Sequence, residues 1–389
     1  MKNTNQNLTL RNRQGKEKNG MYPLLKPVLF AGSGLCVFAM VIRFFLDKDP
    51  NAAEVFYRFF TRYLQGAMAK ITSLIPFSLA ETLVVLLPLA AIFMIAISLK
   101  YYIRKDVYRL SRCFTLITVV ACYVFCNYIL NLSVLYCRPS LSQLSGVDDS
   151  APNKESICAA TLMAALRLDV LTDSGEFVFS DEGASVCPYT FEELDEKIEK
   201  AFDEYAERNP WMSPYGARAK IISLSDPMTY THISGMYTQY TGEANININY
   251  PQYIVCATMA HEKSHQRGIA PEDEANLTAF FVLAESGDPY LEYCGYMSVF
   301  SELMNACYEA SEDFYIDQLL PNVPHCVLGE MISYVEFFRP YSDSDASKAA
   351  SAINDAYLRS NGEQDGVKSY GMITDMAVSY ILGKYSADR

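Results

Sequence analysis

Histidine is scarce in this sequence, with four residues among 389. Basic side chains are scarce after residue 137, where 16 Lys and Arg stand against 39 Asp and Glu. A domain with such an excess of negative charge repels nucleic acid, which excludes DNA and RNA as expected partners. The first apolar stretch lacks the small-residue cleavage site of a secretory signal peptide, so we expect the protein to keep it.

The first 137 residues have the opposite charge balance, with 16 basic residues against 6 acidic ones. They contain three apolar segments, each long enough to cross a bilayer, which takes about 20 residues. These segments are residues 23–46, 76–99 and 113–136. Lys and Arg concentrate before the first segment and between the second and third, and such flanks face the cytoplasm. We therefore predict a multi-pass plasma-membrane protein, in contact with the lipid bilayer, whose chain after the third span lies outside the cell.

This topology divides the chain into three regions. Residues 1–22 form a polar cytoplasmic tail, residues 23–137 the transmembrane region, and residues 138–389 an extracytoplasmic domain. Near residues 54–71, apolar side chains recur at spacings of three and four, which predicts an amphipathic helix. This helix either lies flat in the outer membrane interface or packs on the spans or on the outer domain.

The outer domain is expected to be an α+β fold, so that the whole protein is membrane-anchored and mainly α. Residues 233–249 have strand composition broken at Thr241-Gly242, which predicts two strands joined by a turn or one bulged strand. A further short strand is expected at 220–225. Helical patterns occupy residues 153–168, 190–208, 290–310, 325–337, 345–360 and 368–384.

The strongest chemical signal is a motif that contains two of the four histidines. His261 and His265 are four residues apart, so on a helix both imidazoles leave the same face and can bind one Zn²⁺. Glu262 lies between them, where it can act as general base to a water that the metal activates. Two of so few histidines meet this spacing around a Glu by chance on the order of once in a few hundred sequences. The alternative is a surface Glu262 paired with Lys263 or Arg267.

A catalytic zinc site usually has a third protein ligand. Gly268 allows the helix to end in a left-handed turn, so that a second helix beginning near Pro271 returns toward the metal. Glu272 is the first candidate, because Asn276 on the same face could hydrogen-bond a ligating imidazole. Glu274 is the alternative ligand. Asp273 is a weaker one, and all three acids also suit a helix N-terminus without any metal.

The remaining histidines and cysteines carry weaker signals. His232 and His325 stand alone, without metal-ligand spacing, and are expected to be structural. In an oxidising compartment the outer cysteines can form disulfides, with Cys158 to Cys187 as the first expected pair and buried free thiols as the alternative.

Five sequence blocks suggest a family. HEKSHQRGIAPEDEANLTAFF, preceded by YTGEANININYP and three membrane segments, resembles a bacterial membrane-protein family of unknown function that carries HExxHQxG followed by ExEAN. IPFSLAETL, RPSL and SNGEQDGVKSYG resemble further blocks of that family. The resemblance covers nearly the whole chain, and it implies no substrate.

More distantly, HExxH followed by Glu-x-x-x-Asn is similar to the glutamate-zincin peptidases. That resemblance implies a zincin-like domain with a small sheet beside the HExxH helix, a Zn²⁺ cofactor and Glu272 as third ligand. It also implies that the strand before the metal helix pairs with the substrate backbone through an exposed edge. The matching residues here are Gly242, Glu243, Ala244 and Asn245. The sequence departs from the pattern in the polar pair Lys263-Ser264 and in the short gap from His265 to Glu272.

These features predict a membrane-bound zinc metallopeptidase that acts on a peptide or protein substrate outside the membrane. Glu262 would serve as general base and then as acid to the leaving amine. The alternatives are a non-catalytic zinc-binding sensor or scaffold and an amidase of cell-wall peptides. An open fourth coordination position would favour the enzyme, and a closed four-ligand site would favour the sensor.

Overall fold

The computed structural model describes residues 27–342, 344–360 and 370–387. The predicted cytoplasmic tail, residues 1–22, lies outside this part of the chain. The described residues are mainly helical and belong to two compact units.

The first unit, Met1–Asp49 and Glu81–Val134, contains the long apolar helices. Their bounds are α1 Pro27–Leu46, α4 Leu79–Ile103 and α5 Val107–Asn131, and a short 3₁₀ turn extends the last apolar stretch to Cys137. Large apolar side chains on all three helices are exposed, which in water would be unfavourable and in lipid is not. The prediction of three helices long and apolar enough to cross a membrane is confirmed.

The second unit, Pro50–Ala80 and Leu135–Arg389, contains the remaining elements. Its helices are α2 Pro50–Phe56, α3 Arg62–Thr72, α6 Leu141–Ser145, α7 Lys154–Thr172, α8 Phe191–Arg208, α9 Ser225–Thr229, α10 Gln252–Gln266, α11 Glu272–Ala284, α12 Pro289–Ala310, α13 Glu312–Phe314, α14 His325–Phe338, α15 Asp345–Ser360 and α16 Tyr370–Ala387. Helix α12 packs against α7, α10, α11 and α16 and forms the centre of the hydrophobic core. Burial of side chains such as Phe280, Phe281 and Phe300 stabilises this core by about 1.5–3 kcal/mol each.

Local sequence signals explain where several helices start. Thr190 and Glu193 form the capping box expected before α8, with each side chain bonded to the other residue's backbone N–H. Asn153 caps α7, and Asp288 accepts from two backbone N–H groups at the start of α12. These caps satisfy amide groups that the helices themselves leave without partners.

Two small sheets complete the second unit. Strands β1 Val178–Phe179 and β2 Ser185–Val186 form an antiparallel hairpin. Strands β3 Lys220–Ile221, β4 Gly235–Thr238 and β5 Glu243–Ile246 form the other sheet in the order β3-β5-β4. β4 and β5 are antiparallel and joined by a turn in which Gly242 has a φ of +70°, so the two-strand interpretation of residues 233–249 is correct.

Helices α2 and α3 contain the predicted amphipathic segment, and a π-helical stretch, Tyr57–Thr61, joins them. They belong to the second compact unit, although the sequence placed them in the transmembrane region. Thr72 Oγ1 donates to the Thr241 carbonyl at 2.9 Å, which ties the end of α3 to the turn between β4 and β5. The sequence left open where the amphipathic segment packs. The structure shows that it packs within the second compact unit, against the turn between β4 and β5.

The predicted disulfide between Cys158 and Cys187 is not formed, and both residues are free thiols, of which Cys158 is buried. Cys158 on α7 faces Cys307 on α12, with their Sγ atoms 3.6 Å apart in the core. Cys187 lies in another part of the fold, where its backbone N–H donates to Gln252. The sequence could not anticipate this, because the two cysteines are 149 residues apart and meet only where α7 packs on α12.

Candidate metal centre

Helix α10 carries the two motif histidines in its last two turns and ends directly after them. Gly268 N–H donates to the His265 carbonyl at 3.0 Å, and Ile269 N–H donates to the Ser264 carbonyl at 3.1 Å. These bonds form a Schellman motif, with Gly268 at a φ of +97°, where residues with a Cβ are strained. The chain therefore reverses within one turn of His265, and α11 returns with Glu272 as its first residue.

Three donor groups converge at this reversal. His261 Nε2 and His265 Nε2 are 3.0 Å apart. Glu272 Oε2 lies 3.1 Å from His261 Nε2 and 3.5 Å from His265 Nε2. Within the described ranges, these three side chains form the cluster that could hold a metal ion. The structure thus brings together the three residues that the sequence selected as ligands.

The other nitrogen of each imidazole is held by an oxygen acceptor. His261 Nδ1 lies 2.8 Å from Asn276 Oδ1, and His265 Nδ1 lies 2.7 Å from the Ile269 carbonyl oxygen. A carbonyl oxygen only accepts, so each Nδ1 carries a hydrogen and each neutral ring directs the lone pair of its Nε2 into the cluster. This is the arrangement in which protein histidines bind metals.

The electrostatics of the cluster are strongly coupled. Burial lowers the pKa of His265, but the Glu272 carboxylate outweighs burial and raises the pKa to about 9. Burial alone would raise the pKa of Glu272, yet the two imidazoles hold that pKa well below its ordinary range. The carboxylate is therefore negative, and the site attracts either a proton or a metal cation.

The spacing of the donors fits Zn²⁺. A tetrahedral Zn²⁺ with bonds of about 2.0–2.1 Å separates its N and O ligand atoms by about 3.3 Å. The three observed separations, 3.0, 3.1 and 3.5 Å, lie around this value. Without a metal, the proton that His265 keeps below its raised pKa lies among these atoms, and a bound Zn²⁺ would replace that proton. Two imidazoles and one carboxylate are also a donor set that Zn²⁺ prefers.

Glu262 lies beside the donors and is 5% exposed. The Tyr237 backbone N–H donates to its carboxylate. Burial raises the pKa of Glu262, against the opposing influence of the two imidazoles. A Cβ at Gly235 would lie 2.6 Å from Glu262 Oε1 and 2.5 Å from Thr258 Cγ2, so only glycine leaves room for the carboxylate in this position.

The opposite face of α10 forms an ionic network with α8, in which the basic side chains are buried and Asp203 is exposed. Lys263 Nζ contacts Glu199 Oε2 at 2.6 Å and Asp195 Oδ1 at 2.8 Å. Arg267 Nη2 contacts Glu199 Oε1 and Asp203 Oδ1, both at 2.7 Å. These pairs contradict the alternative in which Lys263 or Arg267 neutralises Glu262. They also explain why a lysine is accommodated where the peptidase pattern has an apolar residue.

The alternative ligand Glu274 is used elsewhere. Its Oε1 accepts from the Leu141 backbone N–H at 2.8 Å, and it is absent from the donor cluster among the described residues. Burial raises the pKa of Glu274 to about 7, with opposing contributions from the Leu141 hydrogen bond and from Arg138. Asp273 likewise lies outside the cluster. Of the two carboxylates, the structure places that of Glu272 beside the histidines and that of Glu274 elsewhere.

The predicted substrate strand requires a correction. Gly242, Glu243, Ala244 and Asn245 belong to the turn before β5 and to β5 itself, which is the central strand and pairs with both β3 and β4. Glu243 pairs with Lys220 and accepts from the Leu79 and Ala80 backbone N–H groups. These residues are buried and cannot present an edge. The edge on the side of Glu262 is β4, which precedes the predicted strand by a few residues.

Strand β4 lies within the predicted strand region 233–249, but the sequence assigned its residues no role in the site. Asn247 N–H donates to the Ser234 carbonyl at 2.8 Å, so the alternation of an antiparallel pair directs the backbone groups of Gly235 and Tyr237 away from β5. The Tyr237 ring stacks on His265 with centroids 6.2 Å apart. A glycine inside a strand often marks a close approach of another group, and this was the one available signal.

Comparison with known families gives one match. The family described as "Protein of unknown function (DUF3810)" matches residues 56–378, which run from the last residue of α2 to the middle of α16 and include all three donors. Neither the curated proteins nor the solved structures provide a match.

Proposed function

The chain belongs to the DUF3810 family, and from the geometry of its donor cluster we propose that it is a membrane-bound zinc metallopeptidase. His261, His265 and Glu272 would hold the Zn²⁺, and Glu262 would act as the catalytic base. The proposal extends to the location of the site outside the cell, which follows from the distribution of basic residues around the apolar helices.

The observation that carries this proposal is the number and arrangement of the donors. A structural zinc site is closed by four protein ligands, whereas a catalytic site has three and an open position. The cluster in the described part of the chain has three, at separations that suit a tetrahedral ion. Glu262 lies directly beside it on the same helix, which a merely structural site would not require.

The roles of the side chains follow from their positions. A bound Zn²⁺ would supply Lewis acidity, which polarises a peptide carbonyl and lowers the pKa of water. Glu262 would accept the proton of the attacking water and pass it to the leaving amine. Its burial strengthens this proton exchange, because a carboxylate in an apolar setting gains stability when it is protonated.

The edge of β4 supports a peptide as substrate. The Tyr237 N–H donates to Glu262, while the backbone groups of Gly235 and the Tyr237 carbonyl also point away from β5 beside that carboxylate, and an extended peptide can pair with such an edge as an added strand. This arrangement transfers the substrate-strand role from β5 to β4. Pairing with β4 would align the scissile bond with the Glu262 carboxylate. Because these contacts use only backbone atoms, they do not determine which substrate side chains are preferred.

The test uses the full chain purified in detergent, because Pro50–Ala80 belong to the same compact unit as the donor cluster. Zinc content and cleavage of a broad peptide library are measured for wild type, Glu262→Gln, His261→Ala and the control His325→Ala, whose histidine is exposed and outside the cluster. We expect one equivalent of zinc in wild type, Glu262→Gln and His325→Ala, and its loss in His261→Ala. Cleavage should survive only in wild type and His325→Ala.

Other outcomes select other functions. Zinc binding without cleavage by any form would favour a sensor or scaffold. Cleavage of cell-wall peptides with no activity on linear peptide libraries would favour an amidase. If wild type binds no zinc, the three groups share a proton instead, and the metallopeptidase proposal is wrong.

A further inference from the structure

The turn between the two ligand helices is held by side chains from distant parts of the sequence. Tyr57 OH donates to the Arg267 carbonyl at 2.6 Å, across 210 residues. The Tyr57 ring lies directly over Gly268, where an added Cβ would come within 2.5 Å of its Cζ. Tyr57 is 1% exposed and belongs to the helical segment that connects the first two apolar helices.

Arg138 holds the next carbonyl of the same turn. Its Nη1 donates to the Gly268 carbonyl at 2.7 Å and its Nη2 to the Trp211 carbonyl at 2.8 Å. Its Nε donates to Glu54 Oε2 at 2.7 Å, and its guanidinium carbon lies 3.7 Å from the centroid of the Tyr57 ring. All donor nitrogens of this buried guanidinium thus have fixed acceptors, which is the condition for a rigid contact.

The turn is connected directly to the metal donors. The residue after Gly268 is Ile269, whose carbonyl oxygen accepts from His265 Nδ1 and sets the orientation of that ring. Three residues later the chain reaches Glu272. A shift of the turn would therefore move an imidazole anchor and the carboxylate ligand together.

We propose that Tyr57 and Arg138 are positioning residues of the metal centre, which fix the turn between the ligand helices and so set its metal affinity. This inference rests on the metal-binding part of the proposed function but not on catalysis. The helical segment Pro50–Thr72, between the first two apolar helices, then supports the metal site. It contains Tyr57 and also Glu54, which pairs with Arg138. Changing a residue that orients a ligand costs about 10–100-fold in metal affinity.

The experiment measures Zn²⁺ and Co²⁺ dissociation constants of the detergent-purified full chain by competition with a chelator. The variants are Tyr57→Phe, which removes one hydroxyl, Arg138→Gln, and Arg138→Lys as a conservative rescue. Arg58→Gln is the matched control, because Arg58 pairs with the same Glu54 but is partly exposed and has no contact with the turn in the described contacts. The visible absorption of bound Co²⁺ reports the geometry of the ligands.

We expect dissociation constants about 10-fold higher for Tyr57→Phe and up to about 100-fold higher for Arg138→Gln, with partial recovery in Arg138→Lys. The Co²⁺ spectrum should change in the first two variants and stay as in wild type for Arg58→Gln. Folded variants with unchanged affinity and spectrum would overturn the inference, since a purely structural role lowers stability without altering the site. Failure of wild type to bind either metal would overturn it together with the zinc proposal, whereas metal binding without peptide cleavage would affect the catalytic proposal alone.

Discussion

Removal of the buried ammonium of Lys263 should destabilise the protein severely. Lys263 is fully buried, and its Nζ contacts Glu199 at 2.6 Å, Asp195 at 2.8 Å and the Ala217 carbonyl at 3.1 Å. Lys263→Met keeps the length of the side chain and leaves two carboxylates without this partner. Breaking a buried pair in this way costs about 3–5 kcal/mol. For a unit of this size that corresponds to a fall in Tm of roughly 6–20 °C.

The assay is thermal unfolding of the full chain with excess chelator, so that a change in metal binding cannot contribute. Lys200→Met is the control, because the Nζ of Lys200 lies 3.6 Å from Glu204 in an exposed pair on α8. Such a pair stabilises by less than about 1 kcal/mol, so its loss should leave Tm nearly unchanged. Equal Tm values for the two variants would refute the reasoning.

The same network predicts how stability depends on pH. Burial would raise the pKa of Glu199, but Lys263 and Arg267 outweigh it and hold that pKa below its ordinary value. A carboxyl whose pKa is depressed by folding stabilises the fold fully above its ordinary pKa of about 4.3, and this contribution is lost as pH falls through the lower, folded value. Glu199→Gln should therefore be less stable than wild type at neutral pH, and the difference should shrink in acid.

Two further substitutions probe the site, and peptide mapping probes the core. Asn276→Ala should weaken Zn²⁺ binding by about 10–100-fold in a chelator competition, because it frees the imidazole that Asn276 orients. Gly235→Ala should lower the rate of peptide cleavage with little loss of bound zinc, since the new methyl group displaces the Glu262 carboxylate; unchanged kinetics would contradict that placement. In protein produced in an oxidising compartment, non-reducing peptide mapping should find Cys158 linked to Cys307, and a different partner for Cys158 would contradict the packing described above.

The sequence predicted the arrangement of the donor cluster well because that arrangement depends on neighbouring residues. The spacing of His261 and His265, the left-handed turn at Gly268 and the position of Glu272 depend on residues within twelve positions of one another. Helical periodicity and the conformational freedom of glycine determine such a segment almost completely. The choice of Glu272 over Glu274 needed the structure, because both carboxylates lie in the first turn of α11 and only packing decides which faces the histidines.

Long-range pairings were beyond the sequence. The exposed edge was assigned to β5 instead of β4, because nothing in the local sequence shows that β3 pairs with β5 and leaves β4 at the edge. The network on the other face of α10 was missed, although it has a sequence signal. Asp195, Glu199 and Asp203 recur every four residues on α8, matching the spacing of Lys263 and Arg267.

The motif departs from the peptidase pattern in the polar pair Lys263-Ser264 and in the short gap from His265 to Glu272. The contacts on the two faces of α10 explain both departures. A short gap between His265 and Glu272 leaves no room for a long supporting segment, so the turn must be held by other parts of the chain. The ionic network fixes the rotation of α10, while Tyr57 and Arg138 fix the turn that follows it. The domain boundary predicted at residue 137 would separate the turn from Tyr57. The compact unit that contains the donor cluster therefore includes Pro50–Ala80 as well as Leu135–Arg389.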